Sequence, residues 1–143
     1  MNKKGFTLIE LLVVIAIIGL LSTLAVVALG SARLKARDSK RLSDLKQTQT
    51  ALELYYTDNS AYPTAASSTI IGTDTHACLN SAGFASTGCA TPYMGQVPSD
   101  PGSGTYTYAS ADGITYTITA TLEGTVSGLS GTVQATPSGI AGS

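Results

Sequence analysis

Residues 11–32 read LLVVIAIIGLLSTLAVVALGSA, an apolar stretch that contains no charged residue. As an α-helix these 22 residues extend about 33 Å, close to the thickness of the hydrocarbon core of a bilayer. A secretory signal peptide has a shorter apolar region, about 7 to 15 residues, followed by a small-residue cleavage site. The stretch therefore predicts one helix that is long enough to span a membrane.

Glu10 is a lone acid directly before this apolar stretch. An ionised carboxylate inside a membrane helix costs about 2.5 to 3.5 kcal/mol on insertion scales, so it needs a partner or access to water. Lys4 lies six residues earlier, about 9 Å along a helix, which would allow Glu10 to sit at the membrane interface. The alternative is that a second copy of the chain brings a positive charge to Glu10.

A short basic leader, MNKKG, precedes the apolar stretch. Cleavage between Gly5 and Phe6 would create a new amine within about one helical turn of Glu10. The sequence KKGFTLIELLVVIAIIGLL, which starts at Lys3, resembles the class III leader and N-terminal helix of type IV pilins and of the pseudopilins of type II secretion. A second similar segment, ALELYYTDNSAYP at residues 51–63, lies where the long helix of that family ends.

The resemblance implies a processed subunit that assembles into a helical filament. It implies that a prepilin peptidase cuts after Gly5 and methylates the amine of Phe6. It also implies that Glu10 pairs with the Phe6 amine of a neighbouring subunit and so sets the register of assembly. The cost of burying charge supports this pairing, because an unpaired buried charge is costly, whereas a hydrogen-bonded pair recovers much of that cost.

The family often has a helix-breaking proline late in this segment, but residues 24–29 contain none here. We therefore expect a straighter and more continuous helix than in relatives that carry the proline. Gly19 would have to permit any local melting of the helix in a filament, since glycine weakens a helix by about 1 kcal/mol and proline by about 3. Close packing between membrane helices is the alternative role of Gly19.

Residues 33–58 predict an amphipathic stalk helix, because apolar residues keep recurring at spacings of three or four. The pattern predicts one buried stripe: Leu42, Leu45, Leu52 and Tyr56. It predicts that four charged residues mostly turn away from this stripe: Lys40, Arg41, Asp44 and Lys46. A helix so long would be stable as the spine of a packed assembly.

Charge is segregated although the totals are ordinary. The 143 residues are 12% charged with a formal net charge of −1, which excludes a collagen-like, nucleic-acid-coating or disordered acidic chain. Six of the eight basic residues lie in residues 33–46, and by the positive-inside tendency they would keep the C-terminal part in the cytoplasm. The resemblance implies instead a cytoplasmic leader and an exported head. The basic residues could meet acidic heads of other subunits, lipid phosphates or solvent.

Residues 59–143 are predicted to form the head, which begins with turn residues and a long loop. Residues 64–104 are rich in Ala, Ser, Thr and Gly and show no sustained periodicity. Cys78 and Cys89 flank ten residues and would form a disulfide in an oxidising compartment, with free thiols as the alternative. His76 is the one further candidate ligand nearby, which is poor support for zinc because zinc takes four ligands.

The pattern changes to period two after residue 104. An Asp112-Gly113 turn signal precedes residues 114–122, in which apolar residues alternate with threonine. A third strand is predicted around residues 129–135. The predicted fold is α+β, a type IV pilin fold in which the second half of one long N-terminal helix packs on a small antiparallel three-stranded sheet.

The sequence predicts no enzyme, cofactor or metal site. It has one histidine, no glycine-rich phosphate loop and no evident acid and base pair. Major pseudopilins bind calcium through acids of a C-terminal loop, but here no Asp or Glu follows Glu123. Asp100 and Asp112 alone are too few for the six to eight oxygen ligands of calcium.

The resulting functional prediction is an exported filament subunit. Its parts are the cleaved leader 1–5, the membrane and filament-core helix 6–32, the stalk 33–58 and the head 59–143. A type IV pilin is the first choice, a pseudopilin of a type II secretion system the second, and a monomeric membrane-anchored binding domain the third. Predicted partners are other copies of the chain, a prepilin peptidase, the inner-membrane assembly machinery and, only in a competence pilus, nucleic acid. The predicted location is a single pass in the inner membrane before assembly, then an extracellular filament or a periplasmic pseudopilus.

Overall fold

The computed structural model describes residues 5–86 and 88–143. One long helix is followed by seven strands: α1 (Leu8–Asn59), β1 (Ala65–Ile71), β2 (Cys78–Asn80), β3 (Gly83–Ala85), β4 (Tyr106–Ser110), β5 (Thr117–Val126), β6 (Leu129–Thr136) and β7 (Gly139–Gly142). The larger sheet is antiparallel with the strand order β1-β4-β5-β6-β7, and β2 and β3 form a separate hairpin. The chain divides into two compact units, the first ending at Leu34 and the second covering Lys35–Ser143.

The first unit is the apolar part of α1. Every described residue from Gly5 to Leu34 is exposed, including the large hydrophobic side chains. An 18-residue window of this helix has a mean hydropathy of 2.9, so α1 is long and apolar enough to cross a membrane. The helix continues without interruption through Gly19 and Gly30.

The second unit is built around the contact between α1 and the larger sheet. Leu45 and Leu52 of the helix are at most 1% exposed and belong to one cluster with buried residues of the sheet. In β5, Ile118, Ala120 and Leu122 are buried and alternate with threonines, as the period-two pattern predicts. The α+β fold with a long N-terminal helix on an antiparallel sheet is therefore confirmed.

The prediction of three strands is wrong, because the larger sheet has five. β1 lies in the segment that was predicted to be a loop, and its sequence AASSTII does not alternate. Its pairing with β4 is irregular between Ala65 and Thr69, which removes the period-two signal. β7 has only four residues, Gly139–Gly142, and is an edge strand too short for a recognisable pattern.

The buried face of the stalk also differs from the predicted stripe. Arg41 and Asp44 are buried rather than turned away, at 2% and 3% exposed. Tyr55 is buried, whereas Tyr56 is 39% exposed. Neighbouring residues are about 100° apart around a helix, and both tyrosines fit a spacing of three or four from Leu52, so the pattern alone does not choose between them.

Candidate assembly site

The predicted registry residue, Glu10, caps the start of its own helix. Its Oε2 atom accepts hydrogen bonds from the Thr7 backbone N–H at 2.8 Å and from the Thr7 hydroxyl at 2.6 Å. The backbone N–H of Glu10 in turn donates to the Thr7 hydroxyl at 3.4 Å. This reciprocal arrangement is a capping box, in which Thr7 is the N-cap residue and Glu10 the third residue of the first turn. The T-x-x-E spacing was a signal that the sequence analysis did not use.

The other predicted processing residues lie just ahead of the cap. Gly5 and Phe6 are exposed and precede the helix, which begins at Leu8, so the bond between them lies in non-helical backbone. Phe6 is 83% exposed. The structure thus brings Gly5, Phe6 and Glu10 together within about one turn of the helix start. The leader residues 1–4 lie outside the described residues.

A buried charge cluster occupies the start of the second unit. The guanidinium of Arg41, which is 2% exposed, donates to three carboxylates. It reaches Asp38 Oδ1 from Nη1 at 2.7 Å and Asp100 Oδ2 from Nε at 2.6 Å. Its Nη2 donates to Asp100 Oδ1 at 2.8 Å and to Glu123 Oε1 at 2.7 Å. One side chain of the helix is thereby joined to a loop and to β5.

Backbone N–H groups donate to two of these carboxylates as well, those of Asp38 and Asp100. Asp38 accepts from the N–H of Glu123 at 2.9 Å and of Gly124 at 2.7 Å. Asp100 accepts from the N–H of Gly102 at 2.7 Å. A Cβ atom at Gly102 would lie 2.9 Å from Arg41 Nη2, so glycine lets the loop close over the guanidinium. The cluster is tightly satisfied, which is what makes buried charges tolerable.

The carboxylates of the cluster titrate below their ordinary ranges. Hydrogen bonds from Arg41 lower the pKa of Asp100, and those from Arg37 and then Arg41 lower the pKa of Glu123. Burial alone would raise the pKa of Asp38, but its backbone hydrogen bonds and Arg41 together lower it. The same contacts, led by Asp100, raise the pKa of Arg41. All members therefore stay charged at neutral pH.

Further ion pairs give partners to basic residues whose partners the sequence left undecided. Arg37 pairs with Glu123, and Lys40 pairs with the buried Asp44 at 3.1 Å. Asp44 also accepts from the hydroxyl of Tyr106 at 2.9 Å. Three of the basic residues in 33–46, Arg37, Lys40 and Arg41, thus pair with acids of the same chain.

The predicted site residues of the head also have local partners. Cys78 and Cys89 form a disulfide, with their Cα atoms 6.3 Å apart. The ring nitrogen Nδ1 of His76 lies 3.0 Å from the Thr75 hydroxyl. Among the described residues the ring forms no hydrogen bond with either cysteine. Asp112 accepts from the backbone of the turn that follows it, at 2.9 and 3.1 Å.

Two family models match this chain and together cover the features described above. Residues 1–30 match the prokaryotic N-terminal methylation motif, which includes Gly5, Phe6 and Glu10. Residues 29–132 match the model of type II secretion system protein G, which covers the charge cluster and most of the sheet. The chain belongs to the protein G family.

Individual relatives match less than half of this protein G family member. The type II secretion system core protein G of Klebsiella pneumoniae is 46% identical over 63 residues, 44% of this chain and 45% of that protein. The corresponding protein of Escherichia coli K12 is 44% identical over 63 residues, 44% of this chain and 43% of that protein. The type IV wide pilus major component PilA4 of Thermus thermophilus is 44% identical over 61 residues, 43% of this chain and 47% of that protein. The matches span less than half the length of these relatives, and no solved structure matches the chain.

Proposed function

We propose that this chain is a structural subunit that polymerises into a filament through its N-terminal helix. The observation that carries the proposal is the helix from Leu8 to Leu34, whose side chains are all exposed and which starts with one acid, Glu10. So much exposed apolar surface needs a membrane or other apolar helices around it. A membrane serves before assembly, and other copies of the helix serve in the filament.

Glu10 couples the two environments. One of its oxygens, Oε2, accepts both bonds from Thr7, and Oε1 has no partner among residues 5–86 and 88–143. After a prepilin peptidase cuts behind Gly5 and methylates Phe6, the new amine of a neighbouring subunit is the cation that Glu10 pairs with. A wrongly placed subunit leaves both charges unpaired in an apolar core, which penalises errors of register. The inner-membrane assembly machinery of such filaments is the further partner.

A surface type IV pilus is the first candidate filament. Twenty residues, Gly124–Ser143, follow Glu123 without an Asp or Glu, which departs from the acidic calcium loop that the resemblance leads one to expect in a secretion protein. Asp100, one of the two acids that the sequence offers for calcium, instead binds the Arg41 guanidinium.

A type II secretion pseudopilus is the second candidate. The match of residues 29–132 to the protein G model favours it, because this match covers the head and not only the N-terminal helix that pilins and pseudopilins share. In that case the filament lies in the periplasm rather than outside the cell.

Electron microscopy of material sheared from the cell surface tests these candidates. A type IV pilin is recovered as filaments that disappear when the gene is deleted. A pseudopilin leaves the sheared fraction empty, and its deletion stops the export of secreted proteins. A membrane-anchored monomer sediments with the membrane in both assays and forms no filament, and that result would overturn the proposal.

A further inference from the structure

Two opposite charges lie along the exposed side of the stalk helix, one heptad apart. Lys46 and Glu53 are both exposed. Neither has an oppositely charged group within 4.0 Å in the part of the chain that the structure describes. Seven residues correspond to about 10.5 Å along a helix, so the two side chains of one copy point the same way from positions about two turns apart.

Glu53 is also held in place from one side. The hydroxyl of Tyr62 donates to Glu53 Oε1 at 2.9 Å, and Tyr62 is 5% exposed. Burial, helped by Glu53, raises the pKa of Tyr62 to about 12, so its hydroxyl keeps its proton and goes on donating. The second oxygen of Glu53, Oε2, has no hydrogen bond among the described residues, and Glu53 is exposed, so this oxygen is available to a partner.

Lys46 and Glu53 belong to a line of exposed residues that we name the outer seam. Its members recur at spacings of 4, 3, 4, 3 and 4: Ser39, Ser43, Lys46, Thr50, Glu53 and Thr57. Such a spacing averages 3.6 residues, the period of the α-helix itself, and so keeps these side chains in one line on the same face of the helix. The hydroxyls of Thr50 and Thr57 donate to carbonyls of their own helix at 3.0 and 2.9 Å, so a helix that covers them leaves no donor unmet.

We propose that the outer seam docks a second copy of this chain, in parallel and shifted by one heptad, so that Lys46 of one copy pairs with Glu53 of the next. The inference rests on the proposed function, because anchoring in one membrane is what makes the helices parallel. Charge complementarity selects the occupant, since an unshifted parallel copy sets Lys46 against Lys46 and Glu53 against Glu53.

Charge reversal in the full-length protein tests the pair. Lys46→Glu and Glu53→Lys should each lower the yield of sheared filaments about tenfold or more, because they replace an attraction by a repulsion. The double variant Lys46→Glu with Glu53→Lys should restore filaments. Lys35→Glu is the matched control: Lys35 is also exposed, but the residue one heptad later is the uncharged Leu42, so its reversal should leave the yield near the wild type.

Cysteine cross-linking in membranes tests the shift without requiring filaments. A chain with Ser43→Cys co-expressed with a chain carrying Thr50→Cys should form a disulfide-linked dimer on mild oxidation. Chains with Ser43→Cys and Thr57→Cys carry cysteines of the same seam that are two heptads apart, so this combination should not form the dimer. An antiparallel pair centred between Lys46 and Glu53 keeps residues 43 and 50 apart. A dimer linked through these two residues therefore shows that the helices are parallel.

The outcomes separate the two proposals. Suppose that the wild type forms filaments, that the charge-reversal variants form them equally well and that no dimer forms through residues 43 and 50. The outer seam is then overturned and the filament proposal stands. Absence of wild-type filaments overturns the filament proposal, and the membrane cross-link then decides the seam by itself: a dimer supports it and no dimer overturns it.

Discussion

Arg41 is a cation buried among three carboxylates, and its position shows how charge and packing interact at a single residue. An exposed ion pair contributes about 0 to 1 kcal/mol, but removal of one partner from a buried set costs more because the remaining charges lose their solvation and their partner together. Asp38 and Asp100 would be left in that state, since both side chains are at most 2% exposed.

Replacement of Arg41 should therefore destabilise the protein strongly. We expect Arg41→Met to lower the free energy of unfolding by about 3 to 5 kcal/mol. Denaturant titration of the full-length protein in detergent, followed by circular dichroism of the sheet, measures this. Lys35→Met is the control, because Lys35 is exposed and unpaired among the described residues, and it should change the free energy by less than about 0.5 kcal/mol. Equal effects of the two substitutions would show that the cluster has no stabilising role.

The same carboxylates predict an acid-labile head. The folded pKa values of Asp38, Asp100 and Glu123 lie below their ordinary values. The unfolded chain then binds more protons in acid, so the stabilisation is complete above the unfolded values, about pH 4, and is lost as pH falls through the folded values. The melting temperature should be nearly constant from pH 7 to about 5 and should fall below about pH 4. Asp100→Asn should melt lower at pH 7 and lose less on acidification; an identical pH profile would contradict this assignment.

At the level of elements, the regular patterns were predictable and the irregular ones were not. The apolar stretch, the period-two segment of β5 and the turn at Asp112 follow from local sequence, because each is a repeated or short-range signal. β1 pairs with β4 across about 40 residues and through an irregular register, so no local pattern marks it.

The sequence did not predict the charge cluster around Arg41, for a related reason. The i, i+3 spacing of Asp38 and Arg41 is visible in the sequence, but such pairs normally lie on a solvated face. Asp100 and Glu123 are 59 and 82 residues from Arg41, and only the tertiary fold brings them to it. Sequence reasoning therefore left acidic heads of other subunits, lipid phosphates and solvent as alternatives for the basic residues, whereas Arg37 and Arg41 pair within the chain.

The contact between helix and sheet can be tested at Leu52, which is 0% exposed in the core. Leu52→Ala should lower the free energy of unfolding by about 2 to 5 kcal/mol, since it removes buried surface and leaves a cavity. Leu54, two residues later, is 53% exposed on the opposite side, and Leu54→Ala should have an effect below about 1 kcal/mol. Denaturant titration compares them. If Leu54→Ala cost as much as Leu52→Ala, the orientation of the helix on the sheet would be wrong.

At the level of the whole molecule, the proposed processing and the proposed assembly use the same few residues. Removal of residues 1–5 would create the amine at Phe6, so the intact mass of the filament protein should correspond to residues 6–143 plus one methyl group. Mass spectrometry of sheared or membrane-extracted protein measures this directly, and Gly5→Ala, which alters the cleavage site, is expected to raise the uncut fraction. Assembled protein that retains Met1 would contradict the predicted processing.

Glu10 has two roles in this scheme, a helix cap and a charge partner, and three substitutions separate them. Glu10→Gln keeps an acceptor for the capping box but loses the charge, Glu10→Ala loses both, and Thr7→Ala loses the cap but keeps the charge. If register depends on pairing with the Phe6 amine, the two Glu10 variants should insert, be cleaved and fail to form filaments, whereas Thr7→Ala should assemble. Electron microscopy and the intact mass of each variant supply the two readouts. Normal filaments from Glu10→Gln would show that the cap, rather than the charge, is what assembly requires, since the carboxamide preserves the first turn of the helix while offering no negative charge to the neighbouring amine.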